Sequence, residues 1–383
     1  MQFEFATATR ILFGVGRVKE LGDIAASMGK NILFVSNLPE MRAAPIVSGL
    51  STRGLRIVPL MITGEPGVSL VTKGSRLAIE RGSDLVISIG GGSAIDTGKA
   101  IAALAANPGD IFDYLEVVGK GLPISSQPIP MIAIPTTSGT GAEVTRNAVI
   151  SVPEQRVKVS LRSPLMLPRL AIVDPGLVFG LPPEITASTG LDALTQLIEP
   201  FVSKKANPLT DAICREGMRY IARSLYKAYE TDDPVSRQEM SLASLFGGLA
   251  LANAGLGAVH GFASVLGGMY PIPHGIICAR ILPDVMRANL QALETRMPES
   301  PALNRYNEVA QILTGTKEAD AADGITWVQK LCTRLGVSPL SDYDILTDEI
   351  PEILEKTEKA SSTKANPIQL TLEELRHILV NNW

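Results

Sequence analysis

DLVISIGGGSAIDTGKA, residues 84–100, decides how this chain is read. Its first half is an apolar, β-branched run of strand length. Its second half takes up helical spacing after three consecutive glycines. A strand that ends in glycine and runs straight into a helix is the building unit of a parallel α/β sheet. The free N–H groups at such a helix start also favour a phosphate group. The spacing matches neither GxGxxG nor GxxxxGK[ST], so the usual dinucleotide and P-loop assignments both fail.

Working outward, strand and helix signals alternate. Residues 3–5 and 10–13 read as short strands, and GRVKELGDIAASMG (16–29) reads as a helix stopped by Gly29. NILFVSN (31–37) and LRIVPLMIT (55–63) read as strands, residues 43–54, 68–82 and 93–106 as helices. MIAIPTT (131–137) and LAIVDP (170–175) supply two further strands. The pattern changes at LPPEIT (181–186). Helical segments then follow at 183–201, 208–229, 234–254, 274–289 and 371–380, with almost no strand signal. The expectation is an α/β domain with a largely parallel, Rossmann-like sheet over residues 1–181. An all-α domain over 182–383 follows it, with a cleft between them.

Composition narrows the function classes. A chain of 383 residues is long for one core, and 45% hydrophobic residues indicate a large buried fraction. The net charge is −4 with no block of Lys or Arg, which argues against nucleic acid and anionic membrane as partners. Cys214, Cys278 and Cys332 are odd in number and widely spaced, so a reducing, cytoplasmic setting is expected in place of a disulfide framework. The N-terminal residues carry no basic-then-apolar signal, and no apolar stretch reaches the roughly 20 residues of a membrane span.

Two further stretches carry chemistry. IPTTSGTGAEVTRNAV (134–149) places Thr136, Thr137 and Thr140 in a hydroxyl-rich loop at a strand end. In an open parallel sheet, ligands gather outside the carboxyl ends of the strands. The second stretch runs from LDALTQLIEP to HGFASVLGGMYPIPH. It holds Asp192, Gln196 four residues later, and His260 and His274, two of only three histidines in the chain. Asp192 and Gln196 share a helix face. Together the four form an oxygen–nitrogen set suited to a divalent metal such as Zn²⁺ or Fe²⁺, with the segment between the histidines bending around it. His377 lies on a charged helix and reads as an exposed side chain.

These motifs, in this order, resemble the iron-containing (group III) alcohol dehydrogenases, relatives of glycerol dehydrogenase and dehydroquinate synthase. The match covers essentially the whole chain. It runs through the FGxG turn at residues 13–16, GGGSxxDxxK, PTTxGTxxEVT, LAIVDP, GLDALT, GLGxVHG and IPHG to Asn366–Pro367. The resemblance implies an NAD(P)-dependent oxidoreductase acting on a short-chain alcohol or aldehyde, assembled as a homodimer or larger homo-oligomer. Gly91, Gly92 and Ser93 would hold the pyrophosphate, and Asp96, Thr136, Thr137, Thr140 and Lys158 would line the cofactor. Asn147, Val149, Leu251 and Ser362 would fall near the substrate. A cation on Asp192, His260 and His274 would polarise the substrate oxygen.

Departures from the family are equally specific. Gln196 stands where the family usually has a histidine, so a fourth ligand is weakened. Ser264 replaces a histidine near the proton path, leaving water, the cofactor ribose or a serine relay. Ala360 and Ser362 replace an Asp and a Cys that often precede the late NP motif. Asn37 replaces an Asp that would repel a 2′-phosphate, so NADP is not excluded and NAD is placed slightly ahead. Two other readings remain: a metal-independent reductase resembling maleylacetate reductase, and a catalytically silent nucleotide-binding relative.

Overall fold

The apolar runs of the central strands are buried on both faces. A computed structural model describes residues 2–382. The strands are β1 (Ile11–Phe13), β2 (Asn31–Ser36), β3 (Arg56–Met61), β4 (Leu85–Gly90), β5 (Met131–Pro135), β6 (Asn147–Val152), β7 (Val157–Arg162) and β8 (Leu170–Val173). Six of them make one sheet in the order β1-β8-β5-β4-β2-β3, and every pair is parallel. Helices α1 (Leu21–Met28), α2 (Glu40–Ser51), α3 (Val68–Glu80) and α4 (Gly92–Ala106) cover it, followed by the single turn α5 (Ile111–Tyr114).

Alternate residues of β2 explain the covering. Ile32 and Phe34 pack with Leu21, Ala25, Ala43 and Leu50 from α1 and α2. Leu33 and Val35 pack on the other face with Val71, Ala78, Ile95 and Ile101 from α3 and α4. Each such side chain contributes roughly 1.5–3 kcal/mol by leaving water. Two covered faces are why LVISIG reads as a continuous apolar run with no polar alternation. The chain leaves β2 for β3 on one side and returns to β4 on the other. The carboxyl ends of β2 and β4 are therefore the place where the strand order reverses and a ligand crevice is expected.

The chain divides into two compact units. One comprises Ala6–Thr137 and Gly141–Phe179; the other comprises Gly180 onward, with residues 138–140 and the N-terminal residues through Phe5. The second unit is helical: α6 (Pro183–Val202), α7 (Pro208–Thr231), α8 (Pro234–Ala254), α9 (Ala258–Met269), α10 (His274–Arg296), α11 (Pro301–Thr314), α12 (Ala321–Arg334), α13 (Ile350–Lys359) and α14 (Leu372–Asn381). Proline opens α6, α7, α8 and α11, where its missing N–H costs nothing. Among the described residues no single helix is long and apolar enough to cross a membrane. Only α8 and α9 taken together pass, across a 103° bend.

The expected parallel sheet followed by helices is what the structure has, with local differences. Residues 3–5 form no strand: Phe3 is exposed, and no neighbouring strand supplies a ladder. The stretch read as a polar loop up to Val149 runs instead into an antiparallel hairpin of β6 and β7. Its alternating Ala148, Ile150 and Val152, all buried, were the available signal. The segment between the two histidines is not a simple bend. It is helix α9, then a short link at residues 270–273, then the start of α10.

Candidate active site

At the sheet reversal, Gly90 closes β4 with φ +153°, in the region that favours glycine. A Cβ there would lie 2.0 Å from Asn37 Oδ1. That close approach lets the Gly91 N–H donate to Asn37 Oδ1 at 3.3 Å, joining the ends of β2 and β4. Helix α4 then starts at Gly92 with no side-chain cap, so its first turn keeps N–H groups and the positive end of its dipole for an anion. Gly91, Gly92 and Ser93 are all partly exposed there. Thr136 donates its N–H to the Gly90 carbonyl at 2.9 Å, and Thr137 lies beside Gly91. Asn37, Gly91, Gly92, Ser93, Thr136 and Thr137 are thus brought together.

The other nucleotide candidates are placed differently. Asp96 is buried, 2.9 Å from Lys99 Nζ, and its Oδ2 accepts the Val149 N–H at 3.0 Å. It fastens α4 to β6, and burial raises its pKa against the pull of Lys99. Lys158 is buried on β7 with Nζ 3.2 Å from Glu65. Thr140 belongs to the 138–140 segment counted with the helical unit.

In the helical unit, three helices deliver the metal candidates. Asp192 and Gln196 lie on one face of α6, His260 lies in the first turn of α9, and His274 is the first residue of α10. Gly275 makes the last placement possible, since a Cβ there would sit 1.9 Å from the Ser188 carbonyl oxygen. The start of α10 can therefore press on the α6 backbone one turn before Asp192. His260 Nε2 and His274 Nε2 lie 3.3 Å and 3.6 Å from Asp192 Oδ1. Asp192 and His260 are buried, whereas the His274 side chain is 34% exposed, which sets the open side of the cluster.

Glu199, which sequence reasoning did not single out, completes this arrangement. Its Oε2 lies 2.6 Å from His260 Nδ1, and its Oε1 accepts the Val259 N–H at 2.8 Å. Asn366 of the late NP motif accepts the neighbouring Ala258 N–H at 3.1 Å. Two side chains therefore satisfy the open N-terminus of α9 and aim its histidine. With Nδ1–H donated to Glu199, His260 presents the Nε2 lone pair to the cluster, the carboxylate–histidine pairing common behind metal ligands. The spacing 192, 196, 199 on one helix face was the signal for Glu199. Cys278, one turn after His274, was also unassigned. Its sulfur joins donor atoms of Asp192, His260 and His274 in a group lying within 4.8 Å of one another.

The electrostatics are those of a site built around positive charge. Burial alone would raise Asp192, but His274, His260 and the Gln196 amide hold its carboxyl below the usual value. Burial works against charge on His260, yet Glu199 and Asp192 outweigh it and raise its pKa to about 9. Burial, reinforced by the two carboxylates, pushes the Cys278 thiol well above its ordinary value. Asp192 Oδ1, Gln196 Oε1 and His260 Nε2 are buried with no hydrogen-bond partner among the described residues. Buried polar atoms are rarely left so. Bonds of 2.0–2.3 Å to a tetrahedral cation would separate donors by about 3.3–3.8 Å, which the 3.3 and 3.6 Å spacings match. The residues fit a divalent cation. Ser264 Oγ donates to the Gly261 carbonyl at 2.8 Å, so its hydroxyl is held on its own helix.

A family model described as iron-containing alcohol dehydrogenase matches residues 8–175, and one for the C-terminal part of that family matches residues 186–383. A Saccharomyces cerevisiae (strain YJM789) protein named alcohol dehydrogenase 4 is 35% identical over 375 residues, covering 96% of this chain and 95% of that one. An archaeal alcohol dehydrogenase from a Red Sea brine pool superposes with a TM-score of 0.93 at 26% identity, over 100% of this chain and 99% of the other. The NAD+ complex of a sulfoacetaldehyde reductase from Bifidobacterium kashiwanohense gives 0.85 at 27% identity, over 100% and 99%.

Proposed function

The chain belongs to the iron-containing alcohol dehydrogenase family, and from that premise we propose how its residues divide the reaction. It is an oxidoreductase acting on CH–OH groups, interconverting alcohol and aldehyde with a nicotinamide cofactor and a metal. The bound groups supply Lewis acidity toward the substrate oxygen and hydride exchange at the substrate carbon. The protein's part is binding, orientation and control of charge.

In this reading residues 1–181 bind the nucleotide and residues 182–383 bind the metal and substrate. Gly91, Gly92 and Ser93 receive the pyrophosphate on open N–H groups, with Thr136 and Thr137 beside them, and Thr140 is a further residue for the cofactor. Asp96 and Lys158 act as supports, because both charges are already paired. Asp192 supplies a buried negative charge, Glu199 holds His260 in the donor tautomer, and the exposed edge at His274 admits a short-chain substrate. NAD(H) is placed ahead of NADP(H): Glu40 follows Asn37 closely, and the Arg42 guanidinium is engaged by the Leu177 carbonyl at 2.8 Å. A cytoplasmic setting accompanies this reading, supported by three buried cysteines without a disulfide, and the family resemblance suggests a homodimer or larger homo-oligomer.

The observation that carries the reading is the cluster of buried, unpartnered donors around Asp192. It is tested on purified full-length protein with NAD+ or NADP+ and a panel of short-chain alcohols. Activity is expected to vanish after chelation and to return with Zn²⁺ or Fe²⁺. Undiminished turnover in metal-free protein would select the metal-independent reductase. Nucleotide binding without any turnover would select the silent relative.

A further inference from the structure

A buried cysteine is ordinarily a small apolar filler. Cys278 differs from that pattern in its position. It follows His274 by one turn of α10 and is fully buried. Its sulfur is the fourth member of the donor group formed with Asp192, His260 and His274. Gln196 Oε1, by contrast, lies 3.3 Å from where a Cβ of Gly247 would stand, on the α8 side. With its oxygen there, the amide has its nitrogen left for the cluster, and an amide nitrogen has no lone pair free for a cation.

We propose that Cys278 is a thiolate ligand of the divalent cation, completing an Asp192/His260/His274/Cys278 set in which Gln196 takes no part. The inference rests on the metal reading above and specifies its ligands. On binding, the S–H bond breaks, the sulfur lone pair forms the bond to the cation, and one proton leaves per ion bound. A carboxylate and a thiolate together cancel a charge of 2+. That compensation by the bound donors lowers the cost of placing the cation away from water, with Glu199 a further buried carboxylate behind His260. A sulfur donor beside two imidazoles and one carboxylate favours zinc over iron(II). The four side chains would hold zinc from the protein side, leaving the substrate oxygen to enter as a further ligand.

The test uses cobalt as the probe. Full-length protein is stripped with a chelator, loaded with Co²⁺ alone, and examined by metal analysis and near-ultraviolet absorption. Stoichiometric cobalt with a sulfur-to-metal charge-transfer band is expected. The band should be lost in Cys278→Ser and kept in Gln196→Ala. Because Cys278→Ser removes a buried group and can fail to fold, the double variant Cys214→Ser/Cys332→Ser serves as the reciprocal; it should keep the band. Stoichiometric cobalt without the band in the wild type, or a band that survives in Cys278→Ser, overturns the thiolate assignment and leaves the metal reading intact. Failure of the wild type to take up cobalt at all overturns both.

Discussion

The turn after β4 and the donor cluster on α6, α9 and α10 are built from different materials. The turn is main chain: a glycine at φ +153°, an uncapped helix start and one hydrogen bond donated by the Gly91 N–H to the Asn37 side chain. The cluster is side chain: a carboxylate, two imidazoles and a thiol brought together from three helices. A main-chain site tolerates the loss of neighbouring side chains and fails when the backbone path is blocked. A side-chain site is sensitive to each donor and to whatever aims it.

The largest expected effect sharpens that contrast. His260→Ala should abolish stoichiometric metal and turnover while NADH binding, read by fluorescence titration, persists. Retention of one metal per chain would break the ligand assignment. Glu143 tests whether the α/β unit also depends on a single side chain. Burial raises its pKa from 4.5 to about 7, against its own backbone N–H and Lys99. The proton is thus held more tightly when folded. This stability is complete below pH 4.5 and is lost as the pH rises through about 7. Glu143→Gln should therefore gain stability relative to wild type between pH 5 and 8, by no more than about 3 kcal/mol. Urea unfolding at both pH values measures the gain. Equal differences at both would contradict the burial argument.

Glu199→Gln should weaken metal affinity by about 10–100-fold, the usual cost of removing the partner behind a metal-bound histidine. A competition assay with a zinc chelator reads this directly, and unchanged affinity would separate Glu199 from the site. Gly90→Ala must displace Asn37 and hold a strained φ, at a cost of about 1–3 kcal/mol. Weaker NADH binding and a lower Tm are expected. Ser93→Ala, which leaves the main-chain N–H groups in place, should have the smallest effect on NADH binding. If Ser93→Ala proves worse than Gly90→Ala, the main-chain account of the turn is wrong.

The same division governs what was legible beforehand. The LVISIG strand, the glycine turn and α4 are contiguous, so local sterics and apolar periodicity reveal them. The hairpin of β6 and β7 was hidden because its first residues sit inside a polar, glycine-rich stretch, although the alternation at Ala148, Ile150 and Val152 was there. His260 and His274 stood out through rarity alone. Glu199 and Cys278 did not, because a buried carboxylate or thiol on an apolar helix takes its meaning from what it faces.

By itself, then, the sequence determined the parallel α/β sheet, the helical second half and the anion-ready helix start, and it singled out Asp192, Gln196, His260 and His274 as metal candidates. Those follow from short-range geometry along one strand or one helix. Only the tertiary structure decided that Glu199 aims His260, that Asp96 and Lys158 are paired internally, and that Cys278 stands beside Asp192, His260 and His274. Those contacts depend on how distant helices and strands pack, and on glycines such as Gly275 that let backbones approach closely. Spacing along a single element specifies a shared face, and packing specifies what that face meets.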